Sequence, residues 1–321
     1  MTETAALAPE RTKTPANPNS LDAPQPVLVT ATPTPAVPPP AVIVKNIEDA
    51  MVLKSNTPWQ KLLLAGISGG AFVALGFVLF VTTQQGLAGS AFPVGIGRLI
   101  GGIAFSAGLI LILHTGADIF TGAMLNIIPV LSKRLAWQRA INHWWLSYVA
   151  NIIGALIIVG LLFLGGTQKA NGGAYGLVAL NIANAKLSLG WTEALVLGIL
   201  ANWLVCLAVW LTFTAKQFLD RVVAIIVPLA VFISSGFEHS IANLFVLPFA
   251  WLLRNFGGEF WQSKAVLASG ATPEKFPGIT LDAILWNNLL PVTIGNVIGG
   301  ALFVGLFYWY SHRRDTLAKT Q

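Results

Sequence analysis

Long apolar runs without charge follow one another along the chain, separated by short polar stretches. Leu62 to Thr83, Trp144 to Gly165, Ala194 to Ala215 and Ala283 to Ser311, the last with Pro291 as a kink, each approach or exceed the roughly 20 residues that cross a hydrocarbon core about 30 Å thick. Two further segments break partway. The run from Pro93 to Leu113 meets the polar and glycine residues of His114 to Gly122 before a second apolar half, Ala123 to Leu131. Likewise Val222 to Phe237 and Ser240 to Leu253 meet near Gly236, and each is too short for a full crossing. Such breaks are tolerated at membrane depth only where the freed backbone lines a cavity or is buried in protein. The pattern predicts an all-α integral membrane protein of six transmembrane helices, helices 2 and 5 broken. Three spans per half is an odd number, so the halves enter from opposite sides as an inverted 3+3 repeat. A matched pair of interrupted segments is the best sequence pointer to a transport site.

The flanks read differently. Residues 1–41 are rich in Pro, Thr and Ala and predict a disordered tail, with neither the basic opening nor the apolar core of a signal peptide. The first apolar run therefore serves as the insertion signal. Residues 42–58 place Val44, Ile47 and Met51 on one face with charges between them, the pattern of an amphipathic helix at the membrane surface; a cap or gate over a pore mouth is the other reading. Residues 59–312 form the transport domain and 313–321 a cytoplasmic tail. Gly166 to Gly190 reads as a polar loop.

Composition narrows the class further. The chain is 55% hydrophobic and 10% charged with mean hydropathy +0.71, where soluble domains carry about 25% charge. The net charge of +6 is scattered at the ends of apolar runs, which writes membrane topology and argues against nucleic acid as a partner. More of the basic residues fall on the side of both termini (Lys54, Lys61, Lys133, Arg134, Arg139, Lys216, Arg221, Arg313 and Arg314 among them) than opposite. Both termini are thus expected in the cytoplasm, the protein spanning the cell (inner) membrane. The lone cysteine, Cys206, has no intrachain partner and reads as packing.

Chemistry concentrates at the breaks. Glu238 and His239 are ionisable residues inside an apolar run, costly there and so a functional site by default, with His239 the group able to switch charge near neutral pH. Glu238 reads as its support, with an amide as a possible partner. Broken helices also turn backbone N–H groups and a positive dipole end toward an anion. Thr121 at the other break is a hydrogen-bonding counterpart. His114 and Asp118, four apart, are expected to share a helix face and pair. No metal-ligand spacing and no cofactor motif stand out.

Gly198-Ile-Leu-Ala-Asn202, Ser235-Gly-Phe-Glu-His-Ser-Ile-Ala-Asn243, Asn288-Leu-Leu-Pro-Val-Thr-Ile-Gly-Asn-Val-Ile-Gly-Gly300 and Gly116-Ala-Asp-Ile-Phe-Thr-Gly122 resemble the formate/nitrite transporter family, closest to its formate-channel branch, over about residues 44–313. The resemblance implies an aquaporin-like fold and a homopentamer with a pore in each protomer. It also implies transport of formate, nitrite and related monovalent anions, with H+ movement. By the same resemblance Thr121 and His239 face each other in the pore. Phe105, Leu109, Ile119, Val205 and Phe232 form its apolar constrictions, and Asn202 and Lys186 bias the histidine's charge. Asp118, where the family usually has Glu, and His114, where a small apolar residue is expected, depart from the pattern. A neutral-solute or water channel of the same architecture is the alternative, but paired Asn-Pro-Ala boxes are missing from both breaks. An enzyme built on Glu238 and His239 would lack a nucleophile or metal constellation.

Overall fold

The computed structural model describes residues 37–87 and 90–318. The predicted tail lies outside them, apart from residues 37–41. Among the described residues the secondary structure is helical, without strands. Five helices are long and apolar enough to cross a membrane: α2 (Trp59–Gln84), α3 (Val94–Thr115), α5 (Trp137–Leu164), α7 (Trp191–Thr212) and α10 (Ala283–His312). Between them run shorter helices: α4 (Phe120–Leu131), α6 (Ala174–Leu187), α8 (Phe218–Ser234) and α9 (Ser240–Phe256). An N-terminal helix, α1 (Pro40–Ser55), precedes them all.

The helices reach beyond the apolar runs that announce them. α5 begins at Trp137 rather than Trp144, because its first two turns are polar and lie outside the stretch that hydropathy marks. α10 passes Pro291 between two π-helical stretches, Ala283–Leu289 and Ile298–Leu306. Many apolar side chains face outward, among them Leu64, Leu161, Val227 and Phe307, a perimeter suited to lipid or to other protein.

Glycines set the closest approaches. A methyl on Gly70 of α2 would lie 2.1 Å from the Asn151 carbonyl oxygen of α5, and one on Gly299 of α10 would lie 2.2 Å from Ile199 O of α7. Backbone thus packs on backbone, the means by which membrane helices gain contact without a hydrophobic driving force.

Two expectations change. The polar stretch after Gly166 contains a 3₁₀ turn and then α6, with Tyr175, Ala179, Leu180 and Ala183 buried at helical spacing. Short Ala side chains and interspersed Asn and Lys hid that stripe in the sequence. α1 does form, with the predicted Val44, Ile47 and Met51 face, but the face is buried against protein rather than laid on the membrane surface. Its Glu48 is fully buried and pairs with Arg134, after α4, and Arg313, at the end of α10.

Candidate functional site

Each break follows one plan. α3 ends at Gly116, whose φ of +77° suits a residue without a side chain, and α8 gives way at Gly236 with φ +72°. The chain then runs extended to a residue that caps the next half-helix, Ile119 in one break (φ −129°, ψ 131°) and His239 in the other (φ −127°, ψ 116°).

Two asparagines hold these extended strands. Asn151 Nδ2 donates to Gly66 O (2.7 Å) and Asp118 O (3.0 Å), and its Oδ1 accepts from Phe120 N–H (2.9 Å). Asn296 Nδ2 donates to Gly198 O (2.8 Å) and Glu238 O (3.0 Å), and its Oδ1 accepts from Ser240 N–H (2.9 Å). The backbone N–H of Asp118 reaches Ala65 O at 3.0 Å, as that of Glu238 reaches Leu197 O at 3.2 Å. The first N–H of each half-helix, Phe120 in one and Ser240 in the other, is taken by a buried amide. Sequence reading missed both asparagines. The signal was present as Asn151-Ile-Ile-Gly154 and Asn296-Val-Ile-Gly299, single amides within apolar spans followed by the packing glycine.

A carboxylate and a lysine accompany each break. Glu238 Oε1 lies 2.6 Å from Lys186 Nζ in the last turn of α6, and Oε2 accepts from Asn243 (2.7 Å) and Asn288 (3.2 Å). So its partners are amides and an ammonium, and the ammonium stands on a helix absent from the sequence reading. At the first break Asp118 Oδ1 lies 3.0 Å from Lys54 Nζ of α1. Its Oδ2 meets Ser147 Oγ at 2.7 Å and His143 Nε2 at 3.0 Å. His114 is not its partner. α3 stops at Thr115, so the four-residue helical spacing never reaches Asp118, and His114 Nδ1 turns to Ile110 O at 2.8 Å.

His239 is 3% exposed. Its Nδ1 accepts from Ala242 N–H at 3.2 Å, which leaves the proton of the neutral ring on Nε2, directed at Thr121 Oγ1 3.0 Å away. Thr121 is itself held by its backbone, since Asn202 Nδ2 donates to Thr121 O (3.2 Å) and Asn296 O (2.6 Å). Asn202 thus grips the backbone of both breaks' surroundings, and the distances link it to Thr121 rather than to the imidazole. Cys206 is buried beside it, its Sγ 3.4 Å from Thr121 O.

Phe105, Leu109, Ile119, Val205 and Phe232 line one cavity with His239, of about 20 Å³. That is room for a single water. On the other side of Ile119 lies a second cavity of about 180 Å³, bounded by Met51 and Lys54 of α1, Asp118, Gly122 and Phe213. Among the described residues no three of His, Cys, Asp and Glu gather as a metal site.

The sequence profile described as formate/nitrite transporter matches residues 41–310. The chain belongs to the formate/nitrite transporter family. Among its relatives, the formate channel FocA of Escherichia coli K12 is 40% identical over 277 residues, covering 86% of this chain and 95% of that protein. FocA of Haemophilus influenzae is 36% identical over 264 residues, covering 82% and 90%. Of solved structures, a pentameric formate channel with formate bound superposes with TM-score 0.71 at 36% identity, covering 79% of this chain and 97% of that one. An ion channel of the same family gives 0.68 at 25% identity, covering 84% and 98%. This family member is accordingly an integral membrane transport protein, and the relatives named are channels.

Proposed function

We propose that the chain passes small monovalent anions, formate and nitrite, through a pore in each protomer of a homopentamer. The observation that carries this reading is the contact of His239 Nε2 with Thr121 Oγ1 beside a small cavity walled by Phe105, Leu109, Ile119, Val205 and Phe232. A bare anion among such apolar groups costs several kcal/mol, so passage is eased if it is protonated or meets a cationic or N–H donor there. His239 is the group that supplies this, with Thr121 orienting the anion. Lys186 and Lys54 are each paired with a carboxylate beside a break, and Glu238 holds Lys186 in place.

The architecture in this proposal is six spans, two of them broken, in an aquaporin-like inverted repeat. It is supported by the matched bonds of Asn151 and Asn296 and by the like capping conformations of Ile119 and His239. Formate as substrate and the pentamer are supported by the relatives named as formate channels and by the pentameric formate channel of like fold.

The test is initial flux of formate and nitrite into proteoliposomes between about pH 5 and 8, for the wild type and His239→Asn. The expected result is anion flux that rises with acidity in the wild type and rises less in the variant. An unchanged pH profile in His239→Asn would refute the histidine's role. Water or glycerol flux without anion flux would favour the neutral-solute channel.

A further inference from the structure

The cluster at the first break contains a second histidine, one that takes no part in the path described above. His143 is 2% exposed, and both ring nitrogens have partners. Nε2 faces Asp118 Oδ2 at 3.0 Å, while Nδ1 faces Ser55 Oγ at 3.1 Å and Asn126 Nδ2 at 3.0 Å. In the neutral ring Nε2–H donates to the carboxylate and Nδ1 accepts from the serine and the amide. One buried atom is left over, Asn126 Oδ1, which has no partner.

A second proton on Nδ1 would use that atom. Ser55 can rotate to accept, and the Asn126 amide can turn so that Oδ1 faces the new N–H, which satisfies the group now stranded without moving the backbone. The proton comes from water on the α1 side and crosses at the Ser55 hydroxyl, which gives one proton to Nδ1 and regains one. No other bond changes. At the other break the corresponding place beside Glu238 is held by Asn288, an amide that cannot titrate. The charged groups around His143 are few. Asp118 touches it and Lys54 reaches it through Asp118, whereas Arg139, one turn earlier on α5, is tied to Asn56, and Glu48 of α1 to Arg134 and Arg313. Lys61 of α2 is exposed.

We propose that His143 is a proton-operated charge switch for the cavity on the α1 side, raising anion admission from that side as it acidifies. With His143 neutral, Lys54 and Asp118 cancel and the cavity wall carries no net charge. With His143 protonated the same wall carries one positive charge, beside a space of about 180 Å³ that opens toward Ile119 and the inner cavity. A wall of one sign in a low-dielectric cleft concentrates counter-ions. The switch is one-sided, since the groups facing Glu238 hold no histidine at hydrogen-bonding distance. The proposal rests on the anion-transport reading above.

The test uses full-length protein in oriented proteoliposomes, the opposite side held at constant pH. Initial formate flux from the α1 side is measured as that side is taken from about pH 7.5 to about 5.5. In the wild type, flux rises by roughly tenfold. His143→Asn places at this break the amide that the other break uses, and it removes the part of the rise that responds to the α1 side. Asn126→Leu withdraws the acceptor that the charged ring needs and moves the rise to lower pH. Should His143→Asn fail to assemble, Asn126→Leu decides alone. A wild-type profile in either variant overturns the switch. Absence of formate flux in the wild type at every pH overturns the transport reading instead.

Discussion

Asn151 and Asn296 each tie two backbone groups that a broken helix would otherwise strand in an apolar interior, Asp118 O with Phe120 N–H and Glu238 O with Ser240 N–H. A buried donor or acceptor without a partner costs about 1–3 kcal/mol, so losing one of these amides outweighs losing an ordinary hydrogen bond. Asn296→Leu keeps the bulk but strands Ser240 N–H and Glu238 O. It should lower the thermal midpoint of the purified protein by several degrees and cut anion flux. Asn142→Leu, on the exposed face of α5, should leave the midpoint unmoved. Equal midpoints for Asn296→Leu and the wild type would refute the clamp. At this scale the acid and histidine of the second break were legible in the sequence, since ionisable residues stand out from an apolar run. The ammonium that meets Glu238 was not derivable from spacing, because Lys186 lies on a helix whose buried stripe is mostly Gly and Ala with polar residues interspersed.

Among the elements, α1 is fastened by charge as well as by its apolar face. Glu48 is buried between Arg134 and Arg313, which join α1 to the segment after α4 and to the end of α10. Next to it Asp49 meets Lys45 and Arg134, and these two hold its carboxyl below the usual range, Lys45 the more strongly. A lowered carboxylate contributes stability above its unfolded pKa and loses it as pH falls through the folded value. Docking of α1 should therefore weaken on the acid side of about pH 4. Glu48→Gln should loosen α1 at neutral pH by about 1–3 kcal/mol, less than a fully buried pair because Arg134 is partly exposed. Hydrogen exchange of the α1 amides measures both effects. Exchange in Glu48→Gln as slow as in the wild type would show that the apolar face alone holds the helix. The amphipathic pattern of α1 was plain in the sequence, but whether lipid or protein covers it depends on distant arginines.

Across the whole molecule, the excess of Lys and Arg on the side of both termini predicts a cytoplasmic location for α1, the end of α4 and the end of α10. Cys206 is buried, which allows a clean labelling experiment in a Cys206→Ser background. Glu274→Cys, on the exposed loop before α10, should react with a membrane-impermeant maleimide on intact cells. Asp315→Cys should react only after the membrane is opened. The opposite result would invert the assignment, and would place the His143 cluster on the outer face without altering its chemistry.

The chain by itself determined that its apolar runs span a membrane and that two of them break, because the cost of placing charge and polar backbone in hydrocarbon is read locally, residue by residue. It also marked the breaks, within His114 to Gly122 and at Gly236, where backbone freedom belongs to the residue type. What tertiary structure decided is how each break is furnished: His143, Ser147 and Lys54 around Asp118, Lys186 against Glu238, and an asparagine from a third helix across each gap. Those partners lie far along the chain, and their meeting depends on which helix faces pack where glycine lets backbones touch.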